Sequence, residues 1–219
     1  MPNRKWFNGS KERQPHFEKQ MWHEQRAHVA PEQLHRSRTL KTISRITGID
    51  IKNYVGELLI SKRKISVLDS GAGNLFFSKQ LKEAFGKKVD LTALGLSSAE
   101  VVPLNRVHNR AKRPLREFAE NAKAIDQYVV SFFENFVPRK RYDLIFDIHG
   151  PLEKSPFKER IYEQYFNLLK VNGRVLVSGY YRTKIDKFNS YLINVKKAKH
   201  ILEVKQVGPN AYEIQKVKI

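Results

Sequence analysis

Ile65-Ser66-Val67-Leu68-Asp69-Ser70-Gly71-Ala72-Gly73-Asn74-Leu75 decides how the rest of the chain is read. A short apolar run ends in a carboxylate, and two glycines follow with one residue between them. The run predicts a buried parallel strand. Gly71 and Gly73 let the backbone turn tightly and approach a ligand without side-chain interference, and Leu75 to Phe85 predicts a helix whose free N–H groups face the turn. Asp69 narrows the ligand, because a carboxylate at the end of the strand repels a pyrophosphate and suits a group carrying an amine. A dinucleotide fingerprint, Gly-x-Gly-x-x-Gly, would need glycine where Phe76 stands and an acid about 20 residues further on. A purely structural strand-to-helix turn in another α/β protein would also carry Gly-x-Gly, so the surrounding chain has to decide.

The remainder alternates strand and helix, as βαβ units require. Val89 to Leu96 is an apolar run after a Gly-Lys-Lys turn, and Ser97-Ser98-Ala99-Glu100 has the form of a capping box. Pro114 to Phe118 predicts a third strand, followed by a helix reaching Phe136. Tyr142 to Ile148 predicts the fourth strand. Ile161, Tyr165, Leu168 and Leu169 fall at helical spacing within Ser155 to Leu169, Val171-Asn172-Gly173 stops that helix, and Arg174 to Tyr181 predicts the fifth strand. Ile201 to Val207 and Tyr212 to Ile219 alternate in polarity on either side of Gly208-Pro209-Asn210, which predicts an antiparallel hairpin.

The stretch at 65–75 resembles motif I of the class I S-adenosylmethionine-dependent methyltransferases, apolar-apolar-acid-x-Gly-x-Gly-x-Gly, with Leu75 in place of the third glycine. Leu168-Leu169-Lys170-Val171-Asn172-Gly173-Arg174-Val175-Leu176-Val177 is similar to that family's approach to its fifth strand. The resemblance covers residues 65–219. It implies an α/β fold with a doubly wound, seven-stranded, mostly parallel sheet and an antiparallel C-terminal hairpin. Residues 1–64 then form a basic, helical N-terminal extension.

The resemblance also implies S-adenosylmethionine as cofactor, bound at the carboxyl ends of the first four strands. Asp69, Gly71, Ala72, Gly73 and Asn74 would hold its methionine end. Strand two departs from the family: aligning Leu94-Gly95-Leu96-Ser97 on Gly-x-Asp-x-Ser puts Gly95, flanked by Leu96 and Ser97, where an acid grips the ribose hydroxyls. Glu100 is either a substitute or the capping-box residue. Phe118-Ala119-Glu120-Asn121-Ala122 resembles the segment after strand three that contacts adenine, with Glu120 and Asn121 the candidates. A solvated glutamate in the first turn of a helix is the alternative for Glu120.

Strand four ends Phe146-Asp147-Ile148-His149-Gly150-Pro151, the motif IV region beside the reacting methyl, so Asp147 and His149 are the catalytic candidates and Asp147 also a cofactor contact. No Asn-Pro-Pro-Tyr or Asp-Pro-Pro-Tyr occurs, which argues against transfer to an exocyclic base amine. The absence of cysteine excludes the thiolate route to pyrimidine C5. Val177-Ser178-Gly179 lacks the lysine of the ribose 2′-O set. His149 carries the side-chain type that titrates nearest neutrality, suited to a general base toward a protic acceptor; the alternative is a structural or exposed loop histidine.

The chain has 219 residues, 41% of them hydrophobic, enough for one sizeable core. It has no run of 18 apolar residues, and Met1-Pro2-Asn3-Arg4-Lys5-Trp6 lacks a secretory signal, so a soluble, cytoplasmic protein is expected. His16, His23, His28 and His35 do not match a metal-ligand spacing. Forty-one Lys and Arg against 22 Asp and Glu give +19, which predicts a polyanionic partner such as RNA. Residues 1–64 carry 14 basic and 6 acidic side chains, a balance of +8, leaving +11 on the remainder. Arg36, Arg38, Lys41 and Arg45 are the expected basic face of the extension. Trp6, Phe7, Phe17, Trp22 and Tyr54 lie among the basic residues and suit either stacking on bases or packing on the sheet. Three functions compete: a methyltransferase acting on RNA or another polyanion-associated target, one acting on a protein or small molecule, and a methyltransferase-fold binding module without turnover.

Overall fold

The computed structural model describes residues 38–95, 117–155, 158–178 and 200–218. Arg36, Leu96, Ser97, Glu100, the four N-terminal histidines and all but Tyr54 of the aromatic residues named in the extension lie outside them. The described strands are β1 (Ile65–Asp69), β2 (Val89–Gly95), β3 (Gln127–Val130), β4 (Tyr142–Ile148), β5 (Leu169–Ser178), β6 (His200–Gly208) and β7 (Ala211–Lys218). They form one sheet in the order β3-β2-β1-β4-β5-β7-β6. The first five are parallel, and β7 runs antiparallel between β5 and β6. This is the doubly wound seven-stranded arrangement expected from the sequence.

All residues of β1 and β4 are buried, which follows from helices covering both faces of the sheet. On one face lie α1 (Leu40–Thr47), α2 (Ile51–Ser61), α3 (Phe76–Phe85) and α4 (117–123); on the other lie α5 (Pro151–Lys154) and α6 (Lys158–Leu168). Alternation along β4 divides the two cores, with Leu144, Phe146 and Ile148 in the first and Ile145 in the second, while Tyr142, ahead of the irregularity in the pairing with β5, also joins the second. No helix among the described residues is long and apolar enough to cross a membrane.

The first core includes Leu40, Ile43, Ile51, Tyr54, Val55 and Leu58, so the described part of the N-terminal segment packs directly on the sheet. Each helix there is locally encoded. Thr39 caps α1 by accepting from the Thr42 N–H, Gly48 ends it in the left-handed conformation at φ 71°, and Asp50 caps α2 by accepting from Lys52 and Asn53. Tyr54 donates its hydroxyl to Glu213 Oε2 on β7 at 2.5 Å, and Arg174 on β5 approaches the same oxygen at 3.1 Å.

Several expected boundaries are corrected. The third strand is Gln127–Val130, not Pro114 to Phe118, and residues 117–123 are helical. Phe118 and Ala122, four residues apart, bury one helical face, whereas Tyr128-Val129-Val130 supplies the β-forming run. The expected helix to Phe136 is therefore replaced by β3 and a short 3₁₀ turn at Phe133–Asn135. The helix expected from Ser155 to Leu169 is α6, Lys158–Leu168, and the short α5 ahead of it was not expected. Val171-Asn172-Gly173 does not precede β5 but lies inside it, as an irregularity in the pairing with β4 where Asn172 takes φ 62°.

Candidate functional site

The glycine turn after β1 is pinned to both neighbouring strands. The backbone N–H and the hydroxyl of Ser70 both donate to the Phe146 carbonyl on β4, at 3.0 and 2.9 Å, and Ala72 N–H donates to the Leu94 carbonyl on β2 at 3.1 Å. Gly71 sits so close to the loop after β4 that a Cβ there would stand 3.0 Å from the Gly150 Cα. Gly73 adopts φ 51°, the left-handed region that favours glycine. Leu75, in the position of the family's third glycine, adopts φ 65° and is fully buried. The backbone thus keeps the shape that a third glycine would adopt without strain.

Asp69 is fully buried, and both its oxygens are engaged. Oδ2 accepts from the Ser78 hydroxyl on α3 at 2.6 Å, and Oδ1 pairs with Arg38 Nη2 at 3.2 Å. Arg38, expected on an exposed basic face, is instead turned inward, because Asp69 supplies a buried countercharge. Its side chain is 16% exposed, its guanidinium carbon lies 5.9 Å from the centre of the Phe77 ring, and its Nη1 would lie 3.7 Å from a Cβ on Gly71. Nε and Nη1 of Arg38 are buried and have no hydrogen-bond partner among the described residues. Leaving such donors unmet costs free energy, so Nε and Nη1 call for an acceptor that the described residues do not supply. Lys41 and Arg45 are exposed on α1.

Asn74 and Asn121 meet at the turn: Asn121, almost fully buried on α4, donates from Nδ2 to the Asn74 carbonyl at 3.0 Å. Glu120 has a different position from the one expected. It precedes β3 rather than following it, points outward, and pairs with Lys123 at 3.2 Å on the surface. At the end of β2, a Cβ on Gly95 would stand 2.5 Å from the Tyr128 hydroxyl, so the tyrosine of β3 fills the space that a side chain there would need.

At the end of β4 the two catalytic candidates face different ways. Asp147 lies on the α6 side of the sheet and is 1% exposed. Its Oδ2 accepts from the Leu152 N–H at 2.9 Å and from the Tyr165 hydroxyl, while Oδ1 has no hydrogen-bond partner among the described residues. Burial pushes its carboxyl up to about 6, although Tyr165, the Leu152 N–H and the Arg38 charge pull the other way. Its contacts tie the loop after β4 to α6. His149 stands just past the strand at φ 51°, its N–H donating to the Ser178 carbonyl at 3.0 Å, and its Nδ1 shares a hydrogen bond with Glu153 Oε2 at 2.7 Å. A non-glycine residue held in the left-handed region at a strand's carboxyl end is a recurrent mark of functional sites.

Several partners were not anticipated from the sequence. Ser78 and Glu153 each had a local signal, one nine residues after the acid it meets and the other four residues after the histidine it orients. Arg38 and Tyr128 reach the site only through tertiary packing. Among the described residues no group of three or more metal-ligating side chains occurs.

Among solved structures the chain is similar to the plantazolicin methyltransferase BpumL, solved in complex with a pentazolic desmethylPZN analog and SAH, at 11% identity over 91% of this chain and 93% of that one, TM-score 0.55. It is similar to a SAM-dependent methyltransferase from Aquifex aeolicus at 16% identity, covering 87% and 100%, TM-score 0.52. It is also similar to the Burkholderia thailandensis 1,6-didemethyltoxoflavin-N1-methyltransferase, solved with bound 1,6-didemethyltoxoflavin and S-adenosylhomocysteine, at 14% identity, covering 96% and 92%, TM-score 0.50. These likenesses establish the fold as that of class I S-adenosylmethionine-dependent methyltransferases. No protein-family model matches the chain, and no curated protein matches it.

Proposed function

We propose that the chain is an S-adenosylmethionine-dependent methyltransferase whose acceptor is a protic group on RNA or on another polyanion-associated target. The observation that carries the cofactor reading is Arg38: a guanidinium held over the glycine turn by Asp69, with two buried donors unmet. An amino-acid carboxylate fits that donor set, as a planar guanidinium meets a carboxylate through paired hydrogen bonds. Arg38 then holds the carboxylate, the Gly71-Ala72-Gly73 backbone leaves room for the chain joined to it, and Asn74, fixed by Asn121, closes the turn. The cofactor supplies an activated methyl group on a sulfonium. What this chain adds is alignment and, at His149, a base oriented by Glu153 for the proton of a hydroxyl or amine acceptor.

A binding module without turnover is the second reading. It is favoured by Gly95, where neither a carboxylate nor room for one exists. Transfer of label from methyl-labelled S-adenosylmethionine into the RNA, protein and small-molecule fractions of an extract separates the two. We expect label in the RNA fraction, and His149→Ala to lower the rate about 10²-fold while leaving affinity for S-adenosylhomocysteine unchanged. Label in none of the fractions, with S-adenosylhomocysteine still bound, would establish the binding module.

A further inference from the structure

The amino ends of the parallel strands carry a charge pattern that the site at their carboxyl ends does not use. Lys62-Arg63-Lys64 leads directly into β1, Lys87-Lys88 into β2 and Arg139-Lys140-Arg141 into β4, and Lys170 opens β5. Because the sheet order runs β2-β1-β4-β5, these four approaches are neighbours. At about 4.8 Å between strands they form a row about 14 Å long. Hydrogen bonds knit the row together: Lys62 and Lys170 both reach Asp143, at 2.6 and 2.7 Å, Lys140 reaches Asp90 at 2.6 Å, and the Ser66 hydroxyl donates to the Arg141 carbonyl at 3.0 Å. Those pairs consume Asp90 and Asp143, while Arg63, Lys64, Lys87, Lys88 and Arg141 remain exposed.

We propose that this amino-edge row is a docking surface for the phosphate backbone of RNA. Exposed like charges held side by side repel one another, and a polyanion relieves that repulsion while releasing its condensed counterions. A line of charges fits a chain of phosphates. A lipid surface is the other anionic partner to weigh. Near this edge the exposed large aliphatic side chains among the described residues are Ile60, Val137 and the 39% exposed Val171, against the five exposed basic side chains just named in the row, so the surface offers more charge than apolar area to insert. The seven residues of β4 put the row about 20 Å from His149, so RNA docked there leaves the glycine turn uncovered. The proposal rests on the RNA branch of the function above but not on turnover.

The test is fluorescence anisotropy of the full chain with a labelled single-stranded RNA at 50 and 200 mM salt, beside flotation with phosphatidylcholine–phosphatidylserine vesicles. Two variants, Arg63→Gln with Lys64→Gln and Lys87→Gln with Lys88→Gln, alter only exposed side chains. Each should lower RNA affinity several-fold at 50 mM salt and flatten the log–log salt slope by about 0.7 for each phosphate no longer neutralised. Lys41→Gln with Arg45→Gln, on α1, should change neither. Three results would overturn the proposal: wild-type protein that does not bind RNA at 50 mM salt, RNA binding that survives both amino-edge variants, or vesicle binding that those variants abolish while RNA binding persists. Methyl transfer into RNA can fail while these titrations succeed, so the two readings fall separately.

Discussion

Leu75 and Asp147 show how single positions carry the strain of this site. Leu75 combines a left-handed backbone with a fully buried side chain, two features that favour opposite substitutions. Leu75→Ala loses the buried side chain and keeps the strain, which should cost about 2–5 kcal/mol. Leu75→Gly loses the same packing but releases a left-handed penalty of about 1–2 kcal/mol. Urea unfolding should therefore find the glycine variant more stable than the alanine variant, an inversion of the usual order. Equal or reversed stabilities would show that the backbone relaxes out of φ 65°. At Asp147 the folded carboxyl lies near 6, above the value of about 3.9 in an unfolded chain. Stability from this group is complete below about pH 4, declines as pH rises through 6 and is flat beyond; two units correspond to about 3 kcal/mol. Asp147→Asn keeps an acceptor for Tyr165 and Leu152 without the charge. It should be more stable than wild type at pH 7 and should lose the decline between pH 4 and 6, as measured by chemical denaturation across that range.

At the scale of elements, the joint between the N-terminal helices and the C-terminal strands rests on Tyr54, Glu213 and Arg174. Tyr54→Phe removes one donor from a buried carboxylate, which should cost about 1.5–3 kcal/mol and be read as a lower urea midpoint at unchanged slope. A shallower slope would mean that α1 and α2 had come away from the sheet. This joint was not legible in the sequence, since alternation places Glu213 among strand residues without saying what it meets. What was legible were β1, an apolar run, β4, and the β6–β7 hairpin with its alternating polarity, all of which stand within two residues of where the sequence puts them. The third strand was misplaced because Glu117 to Lys123 and Gln127 to Val130 are each too short to declare a period, and only burial of Phe118 with Ala122 separates helix from strand. The glycine turn, Asp69 and the His149 loop followed from local residue chemistry. Arg38 did not, since its inward turn depends on a carboxylate 31 positions away.

At the scale of the molecule, the sheet separates two surfaces. Its carboxyl edge presents the glycine turn with Arg38 and His149; its amino edge presents the basic row. Arg38, one of the 41 basic residues behind the +19 charge, is engaged by Asp69. Binding of an adenosyl amino acid at the carboxyl edge through Arg38 would be read by thermal unfolding with S-adenosylhomocysteine. At 100 times its dissociation constant, the ligand should stabilise the wild-type fold by about 2.7 kcal/mol. Arg38→Met, which keeps most of the apolar stem over Phe77, should lose most of that shift, while methylthioadenosine, lacking the amino acid, should stabilise both proteins to the same small extent. No shift in wild-type protein at millimolar S-adenosylhomocysteine would mean that Arg38 and the glycine turn do not hold this ligand.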